Sequence, residues 1–127
     1  QTVVGEAALT LYPPVGEGGE NELGLTILCS AGEFDTLITG DMDSRTERVL
    51  VSSYPLPDIE VLLVGHHGSR YSTSEELLET VTPEVGVVSV GNNSYGHPAR
   101  DALLRLTDTG VSVYRTDLQG NIHITVN

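Results

Sequence analysis

The sequence predicts an α/β fold in which helices cover a mixed sheet, and three observations lead there. Short apolar runs rich in β-branched and leucyl residues recur at 7–12, 23–30, 34–39, 59–64 and 85–90, and runs of that length and composition read as strands. From residue 44 onward such runs alternate with stretches of helical period at 44–52, 72–81 and 99–107, the pattern of parallel strands joined by helical crossovers. The runs at 23–30 and 34–39 are joined only by Ala31-Gly32-Glu33, a hairpin signal that adds antiparallel pairing.

Each element has a local cause. Residues 7–12 alternate apolar with small or polar side chains and stop at Pro13-Pro14, a strand closed by a rigid break. Residues 15–22 are rich in Gly and Glu and are expected to form an exposed loop. The second hairpin strand ends in Thr39-Gly40-Asp41. Asp41 or Asp43 can cap the following helix, whose Val49 and Leu50 are expected to face inward while Arg45, Glu47 and Arg48 stay in water.

The run at 59–64 stops abruptly in Gly65-His66-His67-Gly68-Ser69, where flanking glycines let the backbone turn sharply. Ser72-Thr73-Ser74-Glu75-Glu76 then opens a helix with hydroxyl caps and early acids. It places Leu77, Leu78 and Val81 inside and ends at Pro83. Strand 85–90 leads into the polar loop from Gly91 to Pro98, helix 99–107 is broken by Gly110, and strands at 111–114 and 121–126 flank a turn at 117–120.

Composition narrows the functional classes. A chain of 127 residues, 39% apolar, makes a single domain or a piece of one. It opens at Gln1 without a methionine, which suggests a piece of a longer polypeptide. No apolar run approaches the roughly 20 residues needed to cross a bilayer, and no charged-then-apolar leader opens the chain. The net charge of −12 counts against a simple DNA-binding module. It leaves room for an enzyme that meets a phosphodiester through bound cations, which invert the local sign. All six basic residues are arginine, a composition that hints at a saline or GC-rich source. Cys29 stands alone, cannot form an internal disulfide, and is expected to pack in the core. His123, in a strand pattern far from any motif, reads as structural.

The polar residues at strand tips carry the chemistry. Asp41, the pair His66-His67 and the loop residue His97 each follow an apolar run, and ligands in open α/β sheets sit at the carboxyl ends of strands. A carboxylate with imidazoles suits a hard or borderline cation. The competing readings are helix capping for Asp41 and a plain turn for the histidines.

At these residues the sequence resembles a known family. Thr39-Gly40-Asp41 with Glu47, Leu63-Val64-Gly65-His66-His67-Gly68-Ser69 leading to Ser72-Thr73-Ser74, Val88-Ser89-Val90-Gly91, Tyr95-Gly96-His97-Pro98 and Tyr114-Arg115-Thr116-Asp117 resemble the metallo-β-lactamase-like domain of ComEC-type DNA-uptake competence proteins. The resemblance runs from about Asn21 to the C-terminus.

It implies an αββα sandwich with two divalent ions, zinc or manganese, between its halves. Asp41 matches the acid that bridges them, and His66 or His67 the late histidine ligand. His97 matches a loop histidine able to touch a substrate phosphate or the leaving group. The family's His-x-(His/Asp)-x-Asp-His motif is absent, and no histidine precedes His66, so the chain resembles only the C-terminal half of the domain.

The implied activity of the intact domain is metal-dependent hydrolysis of a phosphodiester, a DNA strand, linked to DNA uptake in natural competence. This half alone is expected to bind metal weakly and to turn over little or nothing. Its implied partners are DNA or another phosphodiester, the N-terminal half of the domain, and a membrane channel region of a parent that would hold the domain outside the cytoplasm. Two alternatives compete: a non-catalytic interaction half-domain, and a hydrolase of small phosphoesters or lactones.

Overall fold

The computed structural model describes residues 2–16 and 24–126. Most of the loop expected at 15–22, together with Leu23, lies outside the described residues.

Seven strands form one sheet in chain order: β1 (Thr2–Val4), β2 (Ala7–Tyr12), β3 (Thr26–Ala31), β4 (Phe34–Ile38), β5 (Val61–Leu63), β6 (Val85–Val88) and β7 (Ser112–Arg115). The first four pair antiparallel and β4 to β7 pair parallel. Helices α1 (Ser44–Ser53), α2 (Glu75–Val81) and α3 (Arg100–Asp108) are the three parallel crossovers, and a short α4 (Thr116–Gln119) follows β7. The mixed α/β sheet is thus the one expected, with an additional N-terminal strand.

Successive crossovers that advance in one direction along a sheet place their helices on one face. The core follows from this. Leu28, Leu37, Leu62 and Val88 of the sheet pack with Leu77, Leu78 and Val81 of α2 and Leu106 of α3. Opposite them, pairing aligns a second row across six strands: Leu11, Ile27, Ile38, Leu63, Val87 and Tyr114. Ile27, Ile38, Leu63 and Val87 in this row are only half-buried, and Leu11 is 51% exposed. A sheet with one wet face normally alternates apolar and polar residues; here both faces are apolar.

Four local expectations are corrected. In α1 the inward residues are Thr46, Glu47 and Leu50, so Glu47 is fully buried and Val49 is exposed. A Glu at a core position becomes tolerable because its carboxylate finds two backbone donors, described below. Cys29 is half-buried rather than a core thiol, because its register position opposite Thr36 sets it on the open face. Residues 121–126 form no strand: α4 and Gly120 turn the chain away from the sheet edge. Ile122 and Ile124 instead border a cavity of about 350 Å³ with Phe34, Val61 and Val85, so their apolar alternation serves packing rather than pairing. Finally, β6 stops at Val88, where Thr116 takes over the hydrogen bonding. Its hydroxyl accepts from the Val90 N–H at 2.8 Å and donates to the Val90 carbonyl at 2.9 Å.

Candidate functional site

Parallel pairing of β4, β5 and β6 brings their carboxyl ends to one edge. Asp41 leaves β4, His66 and His67 leave β5, and Ser89 leaves β6. These residues, with Gly40, Leu63 and Val64, line a single cavity of about 160 Å³. The helix-capping role falls to Asp43, whose carboxylate accepts from the Thr46 N–H at 2.9 Å. Asp41 is left exposed beside the histidines.

The histidine turn is held in an unusual shape. His66 and His67 both have left-handed backbone angles, φ 47° and 54°, where a Cβ crowds the following carbonyl at a cost of about 1–2 kcal/mol per residue. Surrounding bonds hold it there. The His66 N–H donates to the Gly40 carbonyl at 2.9 Å, the Ser69 N–H to the His66 carbonyl at 3.0 Å, and the Gly65 N–H to the Thr73 hydroxyl at 3.2 Å.

His67 Nδ1 lies 2.6 Å from the Ser89 carbonyl. Since a carbonyl only accepts, Nδ1 carries the proton and Nε2 of the neutral ring keeps a lone pair, the arrangement found for metal-binding and proton-accepting histidines.

A second loop closes over the first. The Ala99 N–H donates to the Gly68 carbonyl at 2.8 Å, and a Cβ on Gly68 would stand 2.6 Å from Pro98 Cβ. His97 is thereby set with its ring centre 5.6 Å from that of His66 and stacked at 5.8 Å against Tyr95. Its Nδ1 is buried without a hydrogen-bond partner. Burial first, and then the repulsion a protonated ring would meet from protonated neighbours at His66 and His67, hold His97 below the ordinary imidazole range, which favours the neutral ring.

Behind the site runs a buried polar clamp. The Glu47 carboxylate accepts from the Thr73 and Ser74 N–H groups, both at 2.7 Å, satisfying donors at the start of α2. Burial raises its pKa, opposed by those bonds and by Arg105. The Arg105 guanidinium donates to the carbonyls of Arg70, Ser72 and Thr73. Ser72 in turn donates to the Met42 carbonyl at 2.8 Å, tying the Asp41 loop to the segment after the histidines. Sequence reading missed this clamp. Its only signal is the 46, 47, 50 spacing on α1, which the adjacent apolar pair Val49-Leu50 obscures.

The donor set at the strand tips is chemically of the kind that hard or borderline cations accept, oxygen with imidazole nitrogen, but it is small. It holds one exposed carboxylate and an imidazole whose Nδ1 is held by the Ser89 carbonyl, leaving Nε2 as the ring's free nitrogen. Among the described residues no group of three or more His, Cys, Asp and Glu side chains converges tightly enough to hold an ion. His66, His67, His97 and Asp41 are thus brought to one edge; His123 is exposed and borders the distant cavity beneath Val61 and Val85.

No family model matches the chain. Curated proteins do. The chain is 35% identical over 104 residues, 81% of its length, to ComE operon protein 3 of Bacillus subtilis. It is 41% identical over 92 residues, 71% of its length, to competence protein ComA of Neisseria gonorrhoeae. It is 35% identical over 106 residues, 83% of its length, to recombination protein 2 of Haemophilus influenzae. The match spans 13% of the length of each of these relatives. No helix among the described residues is long and apolar enough to cross a membrane.

Proposed function

We propose that this chain is the C-terminal half of a metallo-β-lactamase-like domain that hydrolyses phosphodiester bonds of DNA during uptake in natural competence. The similarity to a protein named as a competence protein supports the biological setting. The observation that carries the chemistry is the meeting of Asp41, His66 and His67 in one cavity at three parallel strand tips. The apolar row on the open sheet face supports the half-domain reading, because a second sheet packed there would bury it.

Asp41 with His66 or His67 would hold a divalent ion, zinc or manganese; the intact domain would take two, with further ligands from the N-terminal half. When bound, such an ion lowers the pKa of water and neutralises developing charge on phosphate. The chain's own residues do the remainder. Ser89 orients His67, the loop contacts of Gly40 and Ser69 fix His66, and neutral His97 stands beside the cavity where it can accept a proton or hydrogen-bond a phosphate oxygen. The domain belongs to a membrane-associated parent and faces outside the cytoplasm.

The test is a nuclease assay on this chain joined to its upstream segment, with zinc or manganese. Cleavage that disappears with chelator and falls at least about 10²-fold in Asp41→Ala and in the His66→Ala/His67→Ala double variant supports the reading. Cleavage untouched in both variants overturns it.

The absence, among the described residues, of three or more converging ligands favours one second reading, a half-domain that serves only as an interaction module through its open sheet face. An upstream segment without the His-x-(His/Asp)-x-Asp-His motif would decide for it.

A further inference from the structure

Four of the six arginines line one surface cavity. Arg45, Arg48, Arg70 and Arg105 border a space of about 460 Å³ beside the histidine site. Their distribution is unexpected in a chain of net charge −12. Three carboxylates share the cavity: Asp43, Glu75 and Glu76. Asp43 is committed to the α1 cap, and Glu76 pairs with Arg48 at 3.2 Å. Arg105 is spent on backbone carbonyls. Arg45 and Arg70 are exposed and have no side-chain partner among the described residues.

The cavity does not end there. Arg70 and Tyr71 also line a neighbouring cavity of about 370 Å³, whose other walls include His66, Tyr95 and His97. Tyr71 and Tyr95 are 70% and 81% exposed. Glu75 remains as an exposed carboxylate on the same wall, so what the cavity offers a strand is two unpaired guanidinium groups beside exposed aromatic rings: guanidinium groups hold phosphates and rings stack bases, the two contacts that bind single-stranded nucleic acid without sequence preference.

We propose that a single nucleic-acid strand reaches the histidine site along this track, with phosphates on Arg45 and Arg70 and a base stacked on Tyr71. The proposal rests on the phosphodiesterase reading for the strand's destination, but its contacts are independent of any metal. The net negative charge does not prevent it: carboxylates beyond a Debye length of about 8–10 Å are screened, and within the cavity four arginines stand against three carboxylates.

The experiment is fluorescence anisotropy with a labelled oligothymidylate, in chelator, over a salt series, using this chain. Arg45→Ala and Arg70→Ala are each expected to weaken binding about five- to tenfold. Each should also reduce the slope of log affinity against log salt by about 0.7, the value for one lost contact to a single strand. Tyr71→Ala is expected to weaken binding about fivefold or more with the slope unchanged. Arg100→Ala removes the same charge from an exposed site outside both cavities and is expected to stay within about twofold of wild type.

Equal weakening by Arg100→Ala, or no strand binding by the wild type at low salt, overturns the proposal. So does tighter binding of a duplex of the same length. Binding that follows the arginines without any cleavage by the completed domain would leave the track standing and remove the hydrolytic reading. Cleavage indifferent to Arg45 and Arg70 would do the reverse.

Discussion

Replacing Gly68 by alanine tests whether the two motif loops are built against each other. Gly68 has φ +84°, and an added Cβ would lie 2.6 Å from Pro98 Cβ and 2.9 Å from Pro98 Cα. The left-handed backbone costs alanine about 1–2 kcal/mol. Relieving an overlap with a proline ring and backbone adds an overpacking cost of about 1–3 kcal/mol, for a total of about 2–5 kcal/mol. Gly96 supplies the internal control. It lies in the opposing loop with φ +80° and nothing within 4 Å of its would-be Cβ, so Gly96→Ala bears the backbone cost alone. Urea unfolding of both variants reads the difference directly: Gly68→Ala should be less stable than Gly96→Ala by about 1–3 kcal/mol. Equal losses would mean that Pro98 does not press on Gly68 in solution, and the placement of His97 beside His66 would lose its support.

Other consequences follow from the same geometry. His66→Gly should be more stable than His66→Ala by about 1–2 kcal/mol in urea melts, because glycine accepts the left-handed backbone that alanine does not; no difference would remove the strain assigned to that turn. Glu47→Ala should cost about 2–5 kcal/mol by leaving two buried N–H groups unpaired, and a loss under about 1 kcal/mol would contradict the clamp. The raised pKa of Glu47 also has a sign. The folded state holds this proton more tightly than the unfolded state, so the contribution of Glu47 is largest below the ordinary carboxylate range and is lost as pH rises through the folded value. The stability of the wild type relative to Glu47→Gln should therefore shrink as pH rises from the ordinary carboxylate range upward; a gap that widens would refute the assignment.

Much of the sheet was legible because its strands are short apolar runs bounded by Gly and Pro. Residues 7–12 form the expected strand, and the strands expected at 34–39 and 85–90 form over Phe34–Ile38 and Val85–Val88. The candidate site residues were legible for a related reason: each follows a strand, and parallel pairing turns sequence positions after strands into neighbours in space. What stayed hidden depends on long-range partners. Nothing local distinguishes Glu47 from a wet helix residue, since its donors, Thr73 and Ser74, lie 26 and 27 residues away. Ile122 and Ile124 alternate as a strand would, yet they border a cavity on the sheet instead of pairing. The arginine cavity gathers α1, α3 and the segment after the histidines, a meeting that spacing along the chain does not announce.

Under the proposed function, Asp41 and the His66-His67 turn form one half of a metal site. A zinc titration followed by NMR of the histidine rings tests it most directly, on this chain and on the chain joined to its upstream segment, each as wild type and as Asp41→Ala. Shifts are expected at His66 or His67, weak in this chain and saturable in the joined one, and they should disappear without Asp41. Imidazole signals that ignore zinc in both forms, or that shift equally without Asp41, would contradict it.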